Sequence, residues 1–426
     1  MSMAASRRIV VTGLGLVTPV GLDTASFRAS LHAGDSGVRT LRNFDASALP
    51  VRIGAATEGF DAKQYLDKKE RKTLKMMALT VQFAVAAARL ALTEAKLDTQ
   101  ALDPLRFGVV MGTGTVPGEL ADLGEAARAS WDESRRCIDF QRWGSVGMAQ
   151  LPPMWMLNHV PNMPACHVSI LNNAQGPNNT VTQSDAASLF ALGEATRVLQ
   201  RGAADVMLAG GADARVNPIS LARYSLFSHL SHRNDEPERA CRPFDVDRDG
   251  QVLGEGAGVM LLETLEHAQR RGAPIVAEVL GFAAGFDRGC KGPILTRIIN
   301  NALRDAGIQP NQVDHVNAHA LGLRGLDTWE ARGIHGVFGM DTPVLAVKGQ
   351  MGNLGAGAAA SEIAASLIGL QDGIVPATVN CDNPDPQCPV SVLREPRPAR
   401  RPCIVKISAT ERGQCAVLVL RRWHSA

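Results

Sequence analysis

The residues best suited to chemistry sit at sharp corners between strands and helices. The stretch 176–188, GPNNTVTQSDAAS, reads as a strand, a turn at Ser184-Asp185 and a helix of small residues. Such a corner exposes one side chain at a helix N-terminus, where free N–H groups and the helix dipole favour an anion. Here that side chain is Asp185. A carboxylate ionises at about 3.9 and is a weak nucleophile, so covalent catalysis through Asp185 is not expected. The plainer role is capping, because Ser and Asp are preferred N-caps. A second corner runs from a strand over 344–348 through Gly349-Gln350-Met351-Gly352-Asn353 into a small-residue helix over 355–367. Between the two corners a strand over 314–318 reaches His319. His319 and Asn353 are groups able to donate hydrogen bonds to a developing oxyanion, and Lys348 is a further candidate catalytic residue. A lone histidine can equally be packed and satisfied.

Several elements must hold these corners. Apolar runs over 8–15, 106–112, 204–213, 259–263 and 275–281 predict strands, the first ending in a glycine turn. Gly13 and Gly15 lack the third glycine and the downstream acid of a dinucleotide loop. Leu74, Met77, Val81, Ala84, Ala88 and Leu92 recur at helical spacing and predict one long helix over 69–95; a second covers 293–306. The strand, turn and small-residue helix recur in both halves. This predicts an internally duplicated α/β architecture with halves 1–268 and 269–426, whose corners meet at one site. Residues 119–163 interrupt the pattern with Trp131, Trp143, Trp155, Met148, Met154, Met156 and Met163. Either they cover their own core or they face a partner; the partner-facing reading is taken, because Trp and Met concentrate at interface centres.

A chain of 426 residues with a formal net charge of +2 has no bulk charge to drive binding to nucleic acid or a membrane surface. The eight cysteines are dispersed without a CxxC pair, and residues 1–8 lead into a strand without a secretory h-region. Reduced thiols and a cytoplasmic address are expected. No apolar run approaches the roughly 20 residues of a membrane span.

The opening VVTGLG, the strand ADVMLAGGA, Arg242-Pro243-Phe244-Asp245 with its GEGAG sequel, Val316-Asn317-Ala318-His319 and the Lys348 strand resemble the elongating β-ketoacyl-acyl-carrier-protein synthases. The resemblance spans essentially the whole chain. It implies the thiolase fold, a duplicated five-layer αβαβα arrangement that dimerises through its N-terminal half, by a strand near 168–171. It also implies phosphopantetheine delivered by an acyl carrier protein, with no cofactor of the chain's own.

The departures concern chemistry. Family members carry a nucleophilic cysteine where this chain has Asp185, and a thiolate suits thioester exchange. His319 matches the first catalytic histidine, but the pantetheine threonines after it are replaced by Ala320-Leu321-Gly322-Leu323. The second histidine position reads Asn353, as in a related branch of condensing enzymes. The gating loop reads Ala409-Thr410-Glu411-Arg412-Gly413-Gln414-Cys415, and the segment after Phe286 is short; Lys348, Asp327 and Glu330 remain. This set resembles chain-length factors of type II polyketide synthases, although their usual glutamine at position 185 is absent. The resemblance implies a subunit that pairs with an active ketosynthase, or with itself, and lines the acyl tunnel. The alternative is a malonyl-carrier-protein decarboxylase using His319 and Asn353 without an acyl-enzyme. A third option, full condensation, would need Cys166 or Cys415 as nucleophile.

Overall fold

In the computed structural model, residues 7–118 and 120–424 are described. Residues 1–6, which bear on the expected lack of a secretory leader, and Glu119, the first residue of the 119–163 excursion, lie outside them. Eleven strands form one continuous mixed sheet. In chain order they are β1 (Ile9–Val17), β2 (Phe107–Thr113), β3 (Asn178–Val181), β4 (Val206–Ala214), β5 (Glu255–Thr264), β6 (Ala277–Phe286), β7 (Val313–Asn317), β8 (Pro343–Leu345), β9 (Ser391–Val392), β10 (Cys403–Ala409) and β11 (Gln414–Arg422). The sheet order is β9-β8-β7-β10-β11-β6-β1-β5-β4-β2-β3.

The order itself shows the duplication. In the first half β2 pairs in parallel with β3 and β4, whereas β4–β5 and β5–β1 are antiparallel. In the second half β7 pairs in parallel with β8 and β10, whereas β10–β11 and β11–β6 are antiparallel. The halves join where β1 meets β6 antiparallel, with Ile9 opposite Val279 and Val11 opposite Ala277.

Eight helices matter to the site: α1 (Leu79–Glu94), α2 (Leu120–Ala129), α3 (Met163–Leu171), α4 (Ala187–Gln200), α5 (Pro218–Phe227), α6 (Ile294–Ala306), α7 (Arg324–Phe338) and α8 (Ala358–Asp372). Helices α4 and α8 share one buried cluster with residues of both sheet halves, including Leu192, Ile363, Met260 and Leu418. The outer face of the first half packs on α1. That of the second packs on α6 and α7. Helix, sheet, helix pair, sheet, helix is the five-layer αβαβα thiolase arrangement. Strands covered on both faces must be apolar throughout, as FGVVMGT in β2 is.

Several local expectations change. The long helix over 69–95 is two elements, a tight 3-10 turn Glu70–Met76 and α1, broken where Met77 and Ala78 become extended. Met77 is nevertheless buried, so the apolar period runs on through the break and hides it. Strand β1 does not end in a glycine turn but continues to Val17. Its glycines serve close packing: a Cβ on Gly15 would lie 1.8 Å from the Ala87 carbonyl oxygen of α1. Lys348 opens a helical turn, Lys348–Met351, after β8. Residues 168–171 belong to helix α3 rather than a strand. The free edge of the first half is instead β3, whose residues Asn178 and Asn179 are exposed.

Candidate functional site

The corner after β3 is tighter than a simple strand-to-helix step. Ser184 to Ala186 form one 3-10 turn before α4, and Ser184 sits in the left-handed region at φ 48°. That conformation costs a non-glycine residue of order 1–3 kcal/mol and persists only where the surroundings hold it. Capping is not what occupies the corner: neither Ser184 nor Asp185 caps α4, whose N-cap position is Ala186. Asp185 is 4% exposed and accepts a hydrogen bond from Arg215 Nη1 at 2.5 Å. Arg215 Nε donates to Asp213 Oδ2 at 2.8 Å, and its guanidinium lies over the Tyr224 ring of α5, 5.3 Å from the centroid. Ser408 Oγ of β10 holds the Asp185 carbonyl at 2.9 Å. Burial alone would lower the Arg215 pKa, but Asp185 and Asp213 more than offset it, so the group is held cationic. Burial raises the Asp213 carboxyl against the pull of Arg215.

Arg215, the partner that defines Asp185, escaped sequence reasoning. It lies 30 residues along the chain, one residue beyond β4, and no motif spacing marks it. The strands that lead to the two residues, β3 and β4, flank β2 on opposite sides, so the contact is set by the fold and not by sequence spacing.

His319 follows β7 and is 1% exposed. Glu330 of α7 accepts from the backbone N–H groups of His319 and Ala320 at 2.6 and 2.8 Å, fixing a loop in which Ala320 has φ 43°. Lys348 Nζ lies 3.3 Å from His319 Nδ1 and donates to its carbonyl at 2.7 Å. An ammonium only donates, so Nδ1 accepts and the imidazole proton sits on Nε2. That Nε2 is buried with no hydrogen-bond partner among the described residues. Burial, then the charges of Lys348, Lys406 and Arg215, push the His319 pKa well below its usual 6.5, leaving it neutral. Lys348 is itself tied to Glu362 Oε1 at 2.5 Å, and Glu362 also binds Lys406, whose pKa burial lowers to about 8.

Asn353 is wired elsewhere. Its Nδ2 donates to Gln251 Oε1 at 2.8 Å, and its Oδ1 accepts from the Gly355 N–H at 3.1 Å. Gly355 (φ 58°) must be glycine, since a Cβ would lie 2.3 Å from Arg215 Nε. The Ala356 N–H then reaches Asp213 Oδ2 at 3.2 Å. The structure therefore puts His319 and Lys348 in contact. Asp185 and Asn353 are joined only indirectly, through Gly355, Ala356, Asp213 and Arg215.

Two cavities open on this part of the fold; Asp185 lines the smaller one, and His319, Lys348 and Asn353 line neither. One of about 1130 Å³ is lined among others by Cys290, Lys291, Gly322, Leu323, Trp329 and Arg332. Another of about 450 Å³ is lined by Ser184, Asp185, Tyr224, Phe227 and Gln414. Glu411 lines both. Cys415 is buried, and burial pushes its thiol up to about 12, which removes it as a nucleophile. Cys166 lies on α3, away from both linings. No cluster of metal-ligating side chains occurs among the described residues. None of their helices is long and apolar enough to cross a membrane.

Comparison with known proteins agrees with this fold. The β-ketoacyl synthase N-terminal domain model matches residues 6–268 and the C-terminal domain model residues 278–382. The chain is 36% identical to a 3-oxoacyl-[acyl-carrier-protein] synthase 2 from Synechocystis sp., covering 91% of each protein. It is 34% identical to the enzyme of the same name from Vibrio cholerae, covering 96% of each. Among solved structures it is similar to the ishigamide ketosynthase/chain length factor, with TM-score 0.85 and 29% identity over 99% of this chain and 100% of the other. It is also similar to a β-ketoacyl synthase from Burkholderia phymatum, with TM-score 0.87 and 28% identity over 98% and 100%. Matches to both domain models, together with relatives above 30% identity over more than nine-tenths of their length, make this chain a member of the β-ketoacyl synthase family.

Proposed function

We propose that this chain is a ketosynthase-fold subunit that forms no acyl-enzyme and acts as the chain-length-factor-like partner of an active ketosynthase in polyketide or fatty acid synthesis. The observation carrying this reading is the Asp185–Arg215 pair. Asp185 stands at the corner where the resemblance places the family's cysteine. A carboxylate bound by a buried guanidinium is a worse nucleophile than a free one, because its lone pairs and charge are already engaged. The likeness to a ketosynthase/chain length factor points the same way. In this reading the halves 1–268 and 269–426 each bring one corner to the site.

The partner would meet the chain along the β3 edge and residues 120–163. Thr180 N–H on β3 is held by the Asn179 side chain at 2.8 Å rather than by the sheet, so it points to the free edge. Phe140, Met148, Met154 and Met156 are more than half exposed, a surface that a lone subunit would not retain in this number. Met163 is buried in its own chain and leaves this set. A phosphopantetheine arm on an acyl carrier protein fits the larger cavity. Lys291 and Arg332 at its lining are cationic groups suited to a phosphate.

The test is co-expression with a ketosynthase that keeps Cys and both His. A stable one-to-one complex, with acyl label confined to the ketosynthase, is expected. A homodimer alone that accepts an acyl group would overturn the reading. The second reading, malonyl-carrier-protein decarboxylation, is favoured by one observation, the unpartnered His319 Nε2–H. Trapping of carbon dioxide from malonyl-carrier protein tests it.

A further inference from the structure

We infer that Glu411 is a positioning residue that sets the orientation of the Asn353 amide through Gln251. Glu411 lies in the turn between β10 and β11, far from Asn353 in sequence. Its Oε1 accepts from Ser228 Oγ at 2.8 Å and from Gln251 Nε2 at 3.1 Å. Gln251 Nε2 also donates to Ser228 Oγ at 2.9 Å, which closes a three-membered ring of hydrogen bonds.

The direction of each bond follows from elementary donor and acceptor rules. A carboxylate oxygen accepts, so Gln251 must turn its NH2 toward Glu411 and its carbonyl oxygen the other way. That oxygen can only accept, so Asn353 must present Nδ2 to it. At the far end the Gly355 N–H can only donate, which requires Asn353 Oδ1. Both ends of the relay thus demand one orientation of both amides. The backbones cannot shift to accommodate another: Gln251 N–H is bonded to the His229 carbonyl, Asn353 N–H to the Val252 carbonyl, and Gly254 N–H to the Asn353 carbonyl. Only the side-chain rotation remains, and Glu411 fixes it at the Gln251 end while the Gly355 N–H fixes it at Asn353.

The inference deepens the reading of this chain as a non-acylating subunit and rests on it. With one amide hydrogen on Gln251 Oε1 and Oδ1 taken by the Gly355 N–H, the direction of the remaining Asn353 amide hydrogen is fixed by the relay. His319 Nε2–H is the donor with no partner among the described residues. Glu411 also stands in the lining of both cavities, so the residue that holds the relay occupies the boundary between them.

The experiment uses full-length protein with selectively 15N-labelled Asn and Gln side chains, with the Asn353 NH2 signal assigned by its loss in Asn353→Asp. Glu411 is exposed, so its variants are expected to fold. Glu411→Gln retains a carbonyl oxygen for Ser228 and Gln251 and should leave the Asn353 signal in place. Glu411→Ala removes the acceptor and should move that signal by more than a linewidth. Its NH2 should also exchange about tenfold faster, the factor expected for one neutral hydrogen bond. Glu411→Lys offers donors only and should move it further. An Asn353 signal unmoved by both Glu411→Ala and Glu411→Lys overturns the inference, as does displacement by Glu411→Gln as large as by Glu411→Lys. These outcomes are independent of turnover. An acyl adduct on the wild-type chain would instead fail the functional reading and leave the relay standing.

Discussion

Arg215 grips Asp185 with Nη1 and Asp213 with Nε, so one buried guanidinium neutralises the corner where a nucleophile is expected. The three side chains are each at most 6% exposed. In a low-dielectric interior, removing one member leaves a charge that neither water nor protein satisfies. The pair therefore contributes to the fold's stability, and in the proposed reading it also accounts for a corner that forms no acyl-enzyme.

Its first consequence is for Asp185→Asn, which keeps the shape and removes the charge. Arg215 retains Asp213, so the cost should fall at the low end for a broken buried pair, about 3 kcal/mol. Arg215→Ala leaves two buried carboxylates without a cation and should cost more. Urea denaturation midpoints of the two variants check the order. Equal stability of both with wild type would mean that the pair is not formed in solution.

Restoring the thiol with Asp185→Cys places sulfur beside Arg215 at the corner before α4, an environment that favours a thiolate. Alkylation by iodoacetamide should proceed readily at neutral pH. Condensation should remain undetectable, because Leu321 and Leu323 still stand where the resemblance expects pantetheine threonines. Robust carbon–carbon bond formation by this single variant would show an otherwise intact site.

His319→Ala and Asn353→Ala separate the two functional readings. In a templating subunit they alter stability and leave carbon dioxide release from malonyl-carrier protein at background. In a decarboxylase, removing an oxyanion donor lowers the rate by about 10²–10³. A radiometric assay of wild type and both variants decides the matter.

Stability should also respond to pH through Glu255, a buried carboxyl held by the Thr57 N–H and hydroxyl at 3.2 Å. Burial raises its pKa from 4.5 to about 7. A raised carboxyl pKa favours the folded state below the unfolded value, and that contribution is lost as pH rises through the folded value. The window is therefore about pH 4.5 to 7, and the difference corresponds to about 3 kcal/mol. Glu255→Gln should flatten the stability slope there and be relatively more stable than wild type above pH 7. Parallel pH profiles for the two proteins would remove Glu255 as the cause.

Partner binding should depend on two surfaces. Thr180→Pro removes the outward N–H of β3 while sparing its ladder with β2, and should abolish edge pairing. Met154→Glu with Met156→Glu should weaken assembly at least about tenfold, the effect of losing roughly 1.4 kcal/mol of apolar contact. Met163→Ala, by contrast, should lower the melting temperature. Sedimentation of the complexes checks the first two, and thermal denaturation checks Met163→Ala. Retained assembly in Thr180→Pro and in the methionine double variant would move the interface elsewhere.

The amino-acid sequence by itself determined the architecture and the chemical inventory. Buried strands need uninterrupted apolar runs, so β1, β2, β4 and β6 could be read directly, as could the repeated corners at Asp185 and Asn353. The residue identities at 185, 319, 348 and 353 also lay open, and with them the poor prospects for acyl transfer. What the tertiary structure decided were partners set by long-range approach. Arg215 reaches Asp185 from the end of another strand, and Glu411 governs Asn353 through Gln251 across 160 residues between Gln251 and Glu411. Capping at Ser184-Asp185 failed because a buried guanidinium outcompetes a helix N–H for the carboxylate. The break before α1 was invisible because hydrophobic spacing reports burial rather than backbone continuity, and Met77 is buried on either side of that distinction. Local pattern encodes which face turns inward. Only the folded chain brings together charges and amides that no spacing relates.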